Sequence, residues 1–339
     1  MVERYSRQIL FPGIGLAGQH KLRQAKVAIV GVGALGTVSA NNLVRAGVGL
    51  IRVIDRDFVE YSNLQRQTLF DEDDASKAIP KAVAAVKKMH RINSDVQGEA
   101  VIADLNPGNV LDLLRDIDLV VDGTDNFETR FVVNDACWKL NIPWVYGGAV
   151  GSSGVVAAFV PGQTVCLRCL FDSSPGPGFA PTCDTAGIIN PASGLVASLQ
   201  TAEALKILVG ALAKVSRDLV SFDLWENRYD SVSLTNARSE DCPCCGKGDY
   251  TFLRQDSGTQ TAYLCGRDAV QIVPAGVRSD LDLNGVAKRL SGVVQVNNFL
   301  LRLIVDRYEL VLFKDGRAII KGTNNEGQAK GLYARYFGL

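Results

Sequence analysis

The sequence predicts an α/β protein: a doubly wound mixed sheet with a cysteine-bound subregion and a small C-terminal α+β extension. Three observations carry this expectation. Short apolar runs rich in β-branched residues alternate with helical stretches through residues 26–148, a glycine turn at 31–36 joins the first run to the first helix, and two Cys-x-x-Cys pairs stand far apart, at 166–169 and 242–245.

The first strand is KVAIVG at 26–31, and ALGTVSANNLVRAG at 34–47 reads as a helix closed by Gly47. A strand at 50–55 (LIRVID), a charged helix at 81–92, and strands near 99–103 and at 117–122 (IDLVVD) continue an alternation that implies parallel pairing. After a helix at 128–141 and a strand at 143–148 comes SGVVAAFV at 153–160, a run suited to antiparallel pairing, so the sheet is expected to be mixed. SSPGPGFAPT at 173–182 has no apolar periodicity and predicts a flexible loop; a long helix near 191–209 and strands at 218–224 and 230–234 follow. A chain of 339 residues exceeds the roughly 250–300 at which single cores stop growing. Composition shifts after the CPCCG cluster at 242–246, so two units are expected, 1–250 and 251–339, with the boundary near 247–255. Residues 260–322 hold the strand-like stretches TAYLCG, AVQIVP, YELVLF and RAIIKG with short helical ones between them.

Basic and acidic residues balance at 36 each, so no net field holds nucleic acid or an anionic membrane nonspecifically. The start, MVERYSRQIL, has no basic-then-apolar signal pattern, and the most apolar long stretch, 191–213, is broken by Gln200, Thr201, Glu203 and Lys206. A soluble cytoplasmic protein is the expectation, and its eight cysteines then point to metal binding or thiol chemistry rather than to a disulfide framework. His20 and His90 are expected at the surface, Cys137 as a small buried apolar side chain, and the acidic run Asp71-Glu72-Asp73-Asp74 as a solvated loop.

Gly31-Val-Gly33-Ala34-Leu-Gly36 follows a strand and opens a helix, the Rossmann-like setting in which glycines let phosphates approach backbone N–H groups at a helix N-terminus. The bland reading is tight helix–strand packing with no ligand. Asp55 ends the second strand roughly 20 residues further on, where a carboxylate binds ribose hydroxyls. The fingerprint alone favours NAD, so the choice of nucleotide rests on the other strand ends. Arg66 in SNLQRQ and Lys81 at the start of the next helix can neutralise a triphosphate, and Asp125 in VVDGTDN can hold Mg²⁺. A dehydrogenase needs none of these, and no acid–base pair for hydride chemistry is apparent, so ATP is favoured.

Cys166-x-x-Cys169 and Cys242-x-x-Cys245 have the spacing that lets four thiolates converge on Zn²⁺. The distance between the pairs is long for a self-contained ribbon, so the metal is expected to pin two distant segments together, with Cys244 as an alternative ligand. Cys183 follows the Pro/Gly loop directly; Cys265 has no identifiable partner.

These residues together resemble a known family. RYSRQIL at 4–10, GVGALG at 31–36, DRDFVEYSNLQRQ at 55–67, DGTDN at 122–126, CLRC at 166–169, TCDTAG at 182–187 and CPCC at 242–245 are similar, in order and over roughly residues 1–250, to the MoeB/ThiF family of ubiquitin-activating-enzyme-like adenylyltransferases. The resemblance implies a homodimer that uses ATP to adenylate the C-terminal glycine carboxylate of a ubiquitin-like sulfur carrier, MoaD-like or ThiS-like, for molybdopterin or thiamine-thiazole synthesis. It implies a nucleotide-contacting set of Gly31, Gly33, Ala34, Gly36, Asp55, Ser62, Asn63, Arg66, Lys81, Asp125 and Asn126. Asp55 then looks like the ribose ligand, Ser62, Asn63, Arg66 and Lys81 like the phosphate-binding set, and Asp125 like the magnesium ligand. Arg7 is similar to an arginine that enters the partner subunit's active site, and Cys183 to a cysteine that bonds the activated carrier or relays sulfur, with a donor such as a cysteine desulfurase. Ala34 stands where several relatives have glycine, and residues 251–339 have no counterpart in the shorter relatives. The competing class is a noncatalytic adaptor that keeps the fold and binds a ubiquitin-like partner; Arg66, Lys81 and Asp125 argue against it.

Overall fold

A computed structural model describes residues 3–171, 186–254, 260–264, 268–274 and 281–338. Among them, residues up to 171 and 186–254 form one compact unit, and those from 260 onward form a second. No helix among the described residues is long and apolar enough to cross a membrane.

The first unit is built on eight strands: β1 (Lys26–Val30), β2 (Leu50–Ile54), β3 (Gln97–Val101), β4 (Leu119–Asp122), β5 (Trp144–Val150), β6 (Ser153–Phe159), β7 (Asp218–Asp223) and β8 (Arg228–Ser233). Their order is β3-β2-β1-β4-β5-β6-β7-β8. Pairing is parallel from β3 to β5 and antiparallel from β5 to β8, the expected mixed sheet. The strand period of two sends β1 side chains to opposite faces. Val27 and Ile29 pack under the helices Ala34–Ala46, Lys81–Ile92 and Asn190–Leu208, through Leu43, Met89 and Val196 among others. Ala28 and Val30 join the core under the helix Phe127–Leu140, with Phe131, Trp144 and Phe159. A sheet covered on both faces explains why β1 and β4 read as continuous apolar runs.

The helix Ala34–Ala46 ends at Gly47, whose φ of 79° supplies the left-handed C-cap anticipated from the sequence. The acidic run at 71–74 departs from the expected solvated loop. Asp71 caps the short helix Glu72–Ser76, Asp74 is buried, and both pair with Lys88, Asp74 at 3.0 Å. The hydrogen bond from Lys88 holds the Asp71 carboxyl down at about 2. The helix N-terminus and Lys88 draw Asp74 out of water, while Asp71, Glu72 and Asp73 stay exposed.

The second unit is an antiparallel sheet of β9 (Gln260–Leu264), β10 (Ala269–Val273), β11 (Val293–Val296), β12 (Leu300–Val305), β13 (Tyr308–Phe313) and β14 (Ala318–Lys321), in the order β11-β12-β13-β14-β10-β9. Helices Leu283–Ala287 and Glu326–Tyr336 lay Leu283, Val286, Ala329, Tyr333 and Phe337 against Val270, Ile272, Leu303, Leu310 and Ile320. The reading by pattern found the sequences of β9, β10, β13 and β14 but neither β11 nor β12. In β12 Leu300, Leu301 and Leu303 are all fully buried, so apolar and polar residues do not alternate there.

Two glycines fix how closely the first strand and helix approach. A Cβ on Gly36 would lie 2.0 Å from the Gly31 carbonyl oxygen, and one on Gly123 would lie 2.2 Å from the same atom. Gly36→Ala is therefore expected to destabilise the first unit by about 3 kcal/mol, since overpacking against backbone has no side chain to yield. Denaturant unfolding checks this; a variant as stable as the parent would refute the packing account.

Candidate nucleotide and metal sites

In the first unit the sheet order reverses between β1 and β4, and the crevice beyond their carboxyl ends is where such sheets bind ligands. The two turns that line it touch. Gly31, at φ 82°, has space for no side chain, because a Cβ would meet the Gly123 carbonyl oxygen at 2.7 Å. Gly33 is different. A Cβ there meets only Gln67 Nε2, at 3.8 Å, and Gly33 N-caps the Ala34–Ala46 helix with no side chain covering its first N–H groups. Packing thus accounts for Gly31 and Gly36, while Gly33 opens the helix N-terminus to an incoming anion. Ala34 is the first residue of that helix.

Asp55 leaves β2 into the same crevice. Its Oδ2 accepts from Val32 N at 2.7 Å and its Oδ1 from Asp57 N at 2.8 Å, tying the glycine turn to the end of β2. Burial raises its pKa, and the positive charge of Lys81 opposes that rise. Lys81 is only 3% exposed, so it is not a solvated helix-end charge. Its Nζ donates to Asp57 Oδ2 at 3.3 Å, and its backbone N–H donates to the Asp57 carbonyl at 2.9 Å. Arg56, half-buried, binds Asp104 at 2.9 Å, and the charges of Asp104, Asp57 and Asp125 raise its pKa further.

The turn after β4 rests on a buried ion pair. Arg130 Nε donates to Asp122 Oδ2 at 3.0 Å, and its Nη2 donates to the carbonyls of Thr124 at 2.8 Å and Gly147 at 3.0 Å. Asp122 Oδ1 also accepts from Thr124 N and Oγ1, and Gln200 Nε2 donates to the Asp122 carbonyl at 2.7 Å. This shell fixes the backbone so that Asp125, exposed and with no hydrogen bond to a described residue, stands at the rim. Asn126 caps the next helix, its Oδ1 accepting from Thr129 N at 2.8 Å.

Ser62, Asn63 and Arg66 lie on the 3₁₀ turn Tyr61–Asn63 and just after it. Ser62 is exposed; Asn63 is buried, with Oδ1 accepting from Glu60 N at 3.1 Å. Arg66 is half-buried, and its Nη1 donates to the Ser62 carbonyl at 2.9 Å. Arg7 does not join these residues within one chain. Tyr5 packs on Gly47, at the end of the Ala34–Ala46 helix remote from the glycine turn, and Arg7 follows it on an exposed turn at that end.

Beside the helix Phe127–Leu140 the sulfurs of Cys166, Cys169, Cys242 and Cys245 all lie within 4.8 Å of one another. Cys166 is 3.9 Å from Cys169 and 3.5 Å from Cys242, and Cys169 is 3.3 Å from Cys245. Thiolates about 2.3 Å from a tetrahedral Zn²⁺ would stand about 3.8 Å apart, so the cage fits that ion. Cys244 turns elsewhere, accepting from Asn134 Nδ2 at 3.3 Å. Asn134 Oδ1 also accepts from Leu167 N at 2.9 Å, so one buried amide holds both cysteine segments. Asp135 beside it accepts from Phe252 N at 3.0 Å. Cys137 is fully buried, which pushes its thiol pKa up, while His20 and His90 are exposed. Cys183, Cys265 and the loop at 173–182 lie outside the described residues.

Sequence reasoning missed Asp57, Gln67, Asp122, Arg130, Asn134 and Asp135. Asp57 and Gln67 sit inside motifs that had been singled out, and Arg130 follows Asp122 by roughly two helical turns, but only the fold shows which charges face each other.

These features define a class: a doubly wound α/β protein of the nucleotide-binding type that also brings together four cysteines able to hold a metal ion. The model of the ThiF family matches residues 5–244, and the chain belongs to that family. It is 47% identical, over the full length of both chains, to the sulfur carrier protein ThiS adenylyltransferase of Bacillus subtilis. It is 41% identical to the sulfur carrier protein adenylyltransferase of Thermus thermophilus, across 72% of this chain and 91% of that one. A crystal structure of E. coli MccB with ATP superposes with a TM-score of 0.62 at 27% identity, covering 72% of this chain and 74% of the other.

Gly33→Ala separates binding from folding. No atom lies closer than 3.8 Å to the new methyl, so the fold should be retained while ATP affinity falls. Calorimetric titration with ATP beside a thermal melt checks both; unchanged affinity would remove Gly33 from the phosphate site.

Proposed function

We propose that this chain is an ATP-dependent adenylyltransferase that activates the C-terminal glycine carboxylate of a ubiquitin-like sulfur carrier. One observation carries the reading: the open helix N-terminus at Gly33 and the buried Lys81 offer charge compensation for a triphosphate at one crevice, and the exposed Asp125 at its rim offers a carboxylate for a magnesium ion. A ThiS-type carrier is the first choice, because the Bacillus relative with that name matches the chain from end to end, the second unit included. A MoaD-type carrier is the alternative the motifs allow. The family membership and those relatives support an enzyme of this class.

The carboxylate is a nucleophile at neutral pH without a general base. Its oxygen attacks the α-phosphorus, the bond from that phosphorus to the bridging oxygen of the β-phosphate breaks, and pyrophosphate leaves with no proton transferred. The protein's task is positioning and charge neutralisation. Asp55 takes the ribose, and Ser62, Asn63, Arg66 and Lys81 take the phosphates. Asp125, with Asn126 next to it, would hold Mg²⁺, which supplies further charge neutralisation when bound. Arg7 is assigned to the partner's crevice in a homodimer. The exposure of Leu10 (69%), Phe11 (61%) and Leu16 (55%) beside it supports a face covered by a second subunit. Cys183 is assigned to the later thiol step, with a sulfur donor such as a cysteine desulfurase upstream, in a reducing cytoplasm.

Pyrophosphate–ATP exchange with purified ThiS-type and MoaD-type carriers tests the reading. Exchange should depend on one carrier, and its absence with both would overturn the assignment. Arg66→Ala and Asp125→Ala should each lose about 10²–10³ in rate, the effect of removing one charge-stabilising group. Cys183→Ala should retain exchange, and mixed dimers of Arg7→Ala with Asp125→Ala subunits should regain part of it. Near-parental exchange from folded Arg66→Ala or Asp125→Ala protein would take that residue out of its role.

Cys166, Cys169, Cys242 and Cys245 would hold a structural Zn²⁺, since four thiolates leave no position for water or substrate. Metal analysis should return one zinc per chain, and stripping it with a chelator should lower the melting temperature. Metal-free protein with an unchanged melt would show that the cage is held by packing alone.

A further inference from the structure

The amide of Gln67 is buried at the nucleotide crevice. Gln67 is 3% exposed, set there by the turn in which its N–H donates to the Asn63 carbonyl at 2.9 Å and its carbonyl accepts from Phe70 N at 3.1 Å. Its Oε1 is fully buried without a hydrogen-bond partner, while its Nε2 faces the glycine turn. The Nε2 N–H groups are therefore the part of the amide that can donate to an incoming acceptor, whereas Oε1, an acceptor itself, gains nothing from an anion. The direction the amide faces is fixed by one distance. Nε2 lies 3.8 Å from the position a Cβ would occupy on Gly33, the one open place in the glycine turn.

We propose that Gln67 binds the triphosphate directly: a phosphate oxygen that approaches the uncapped helix N-terminus at Gly33 accepts a hydrogen bond from Gln67 Nε2. This rests on the ATP-dependent reading above and adds a contact to it. The helix N–H groups reach the phosphate from one side and the amide from the other, so the anion is held between two sets of donors. The amide is neutral, which suits a crevice where Lys81 already brings positive charge near Asp55 and Asp57. It orients the phosphate without adding charge that pyrophosphate must escape.

Equilibrium binding of ATP and of adenosine to the full-length protein separates this role from a packing one. Gln67→Met keeps the size and removes the donor; it should weaken ATP about tenfold, as expected for a hydrogen bond to a charged group, and leave adenosine unchanged. Gln67→Glu, isosteric with the parent, places a carboxylate against the phosphate and should weaken ATP further while adenosine again binds normally. It also serves if the methionine variant fails to fold. Equal loss of ATP and adenosine, or ATP affinity unchanged in a folded variant, would overturn the contact. A parent protein that binds no ATP would instead overturn the nucleotide assignment itself.

Discussion

Everything at the crevice depends on one carbonyl oxygen, that of Gly31. The first turn of the Ala34–Ala46 helix passes it at Gly36 and the turn after β4 passes it at Gly123, each so closely that a methyl group would collide. Backbone contact at that distance brings the ends of β1 and β4 together. It also aligns the helix axis with the crevice, so that its N-terminal dipole points at the ligand position. The charged groups that surround the crevice are then fixed by where those two turns lie.

Those charges are arranged before any ligand arrives. Arg130 and Asp122 are buried together and share their remaining hydrogen-bonding capacity with Thr124, Gly147 and Gln200. Removing either partner would strand a buried charge, a loss of about 3–5 kcal/mol. Lys81, buried as well, is held by Asp57 at 3.3 Å, which fixes where its ammonium lies at the edge of the crevice. A site that neutralises charge through fixed groups reorganises little during the reaction, and this is the main source of catalysis when the nucleophile needs no base.

The helix Phe127–Leu140 joins the two sites mechanically. Arg130 on it sets the turn that carries Asp125, and one turn further Asn134 and Asp135 clamp the cysteine segments and the chain at Phe252. Phe131 between them stacks on Phe252 at 4.6 Å. Metal at the cysteine cage would therefore stiffen the helix that supports the turn after β4.

By itself the sequence determined the alternation that makes a doubly wound sheet, the glycine turn, the two cysteine pairs and the order of the motifs. Each is a local pattern: strand and helix periods, φ above zero at Gly31, and ligand spacing are set within a few residues. Tertiary structure alone decided that Gly33 is open while Gly31 and Gly36 are packed, that Lys81 is buried against Asp57, and that Asp71 and Asp74 grip Lys88. It also decided that Cys244 turns to Asn134 and leaves the cage to the other four. Burial and charge pairing are relations between segments far apart in the chain, and only folding brings them within the few ångströms over which they act.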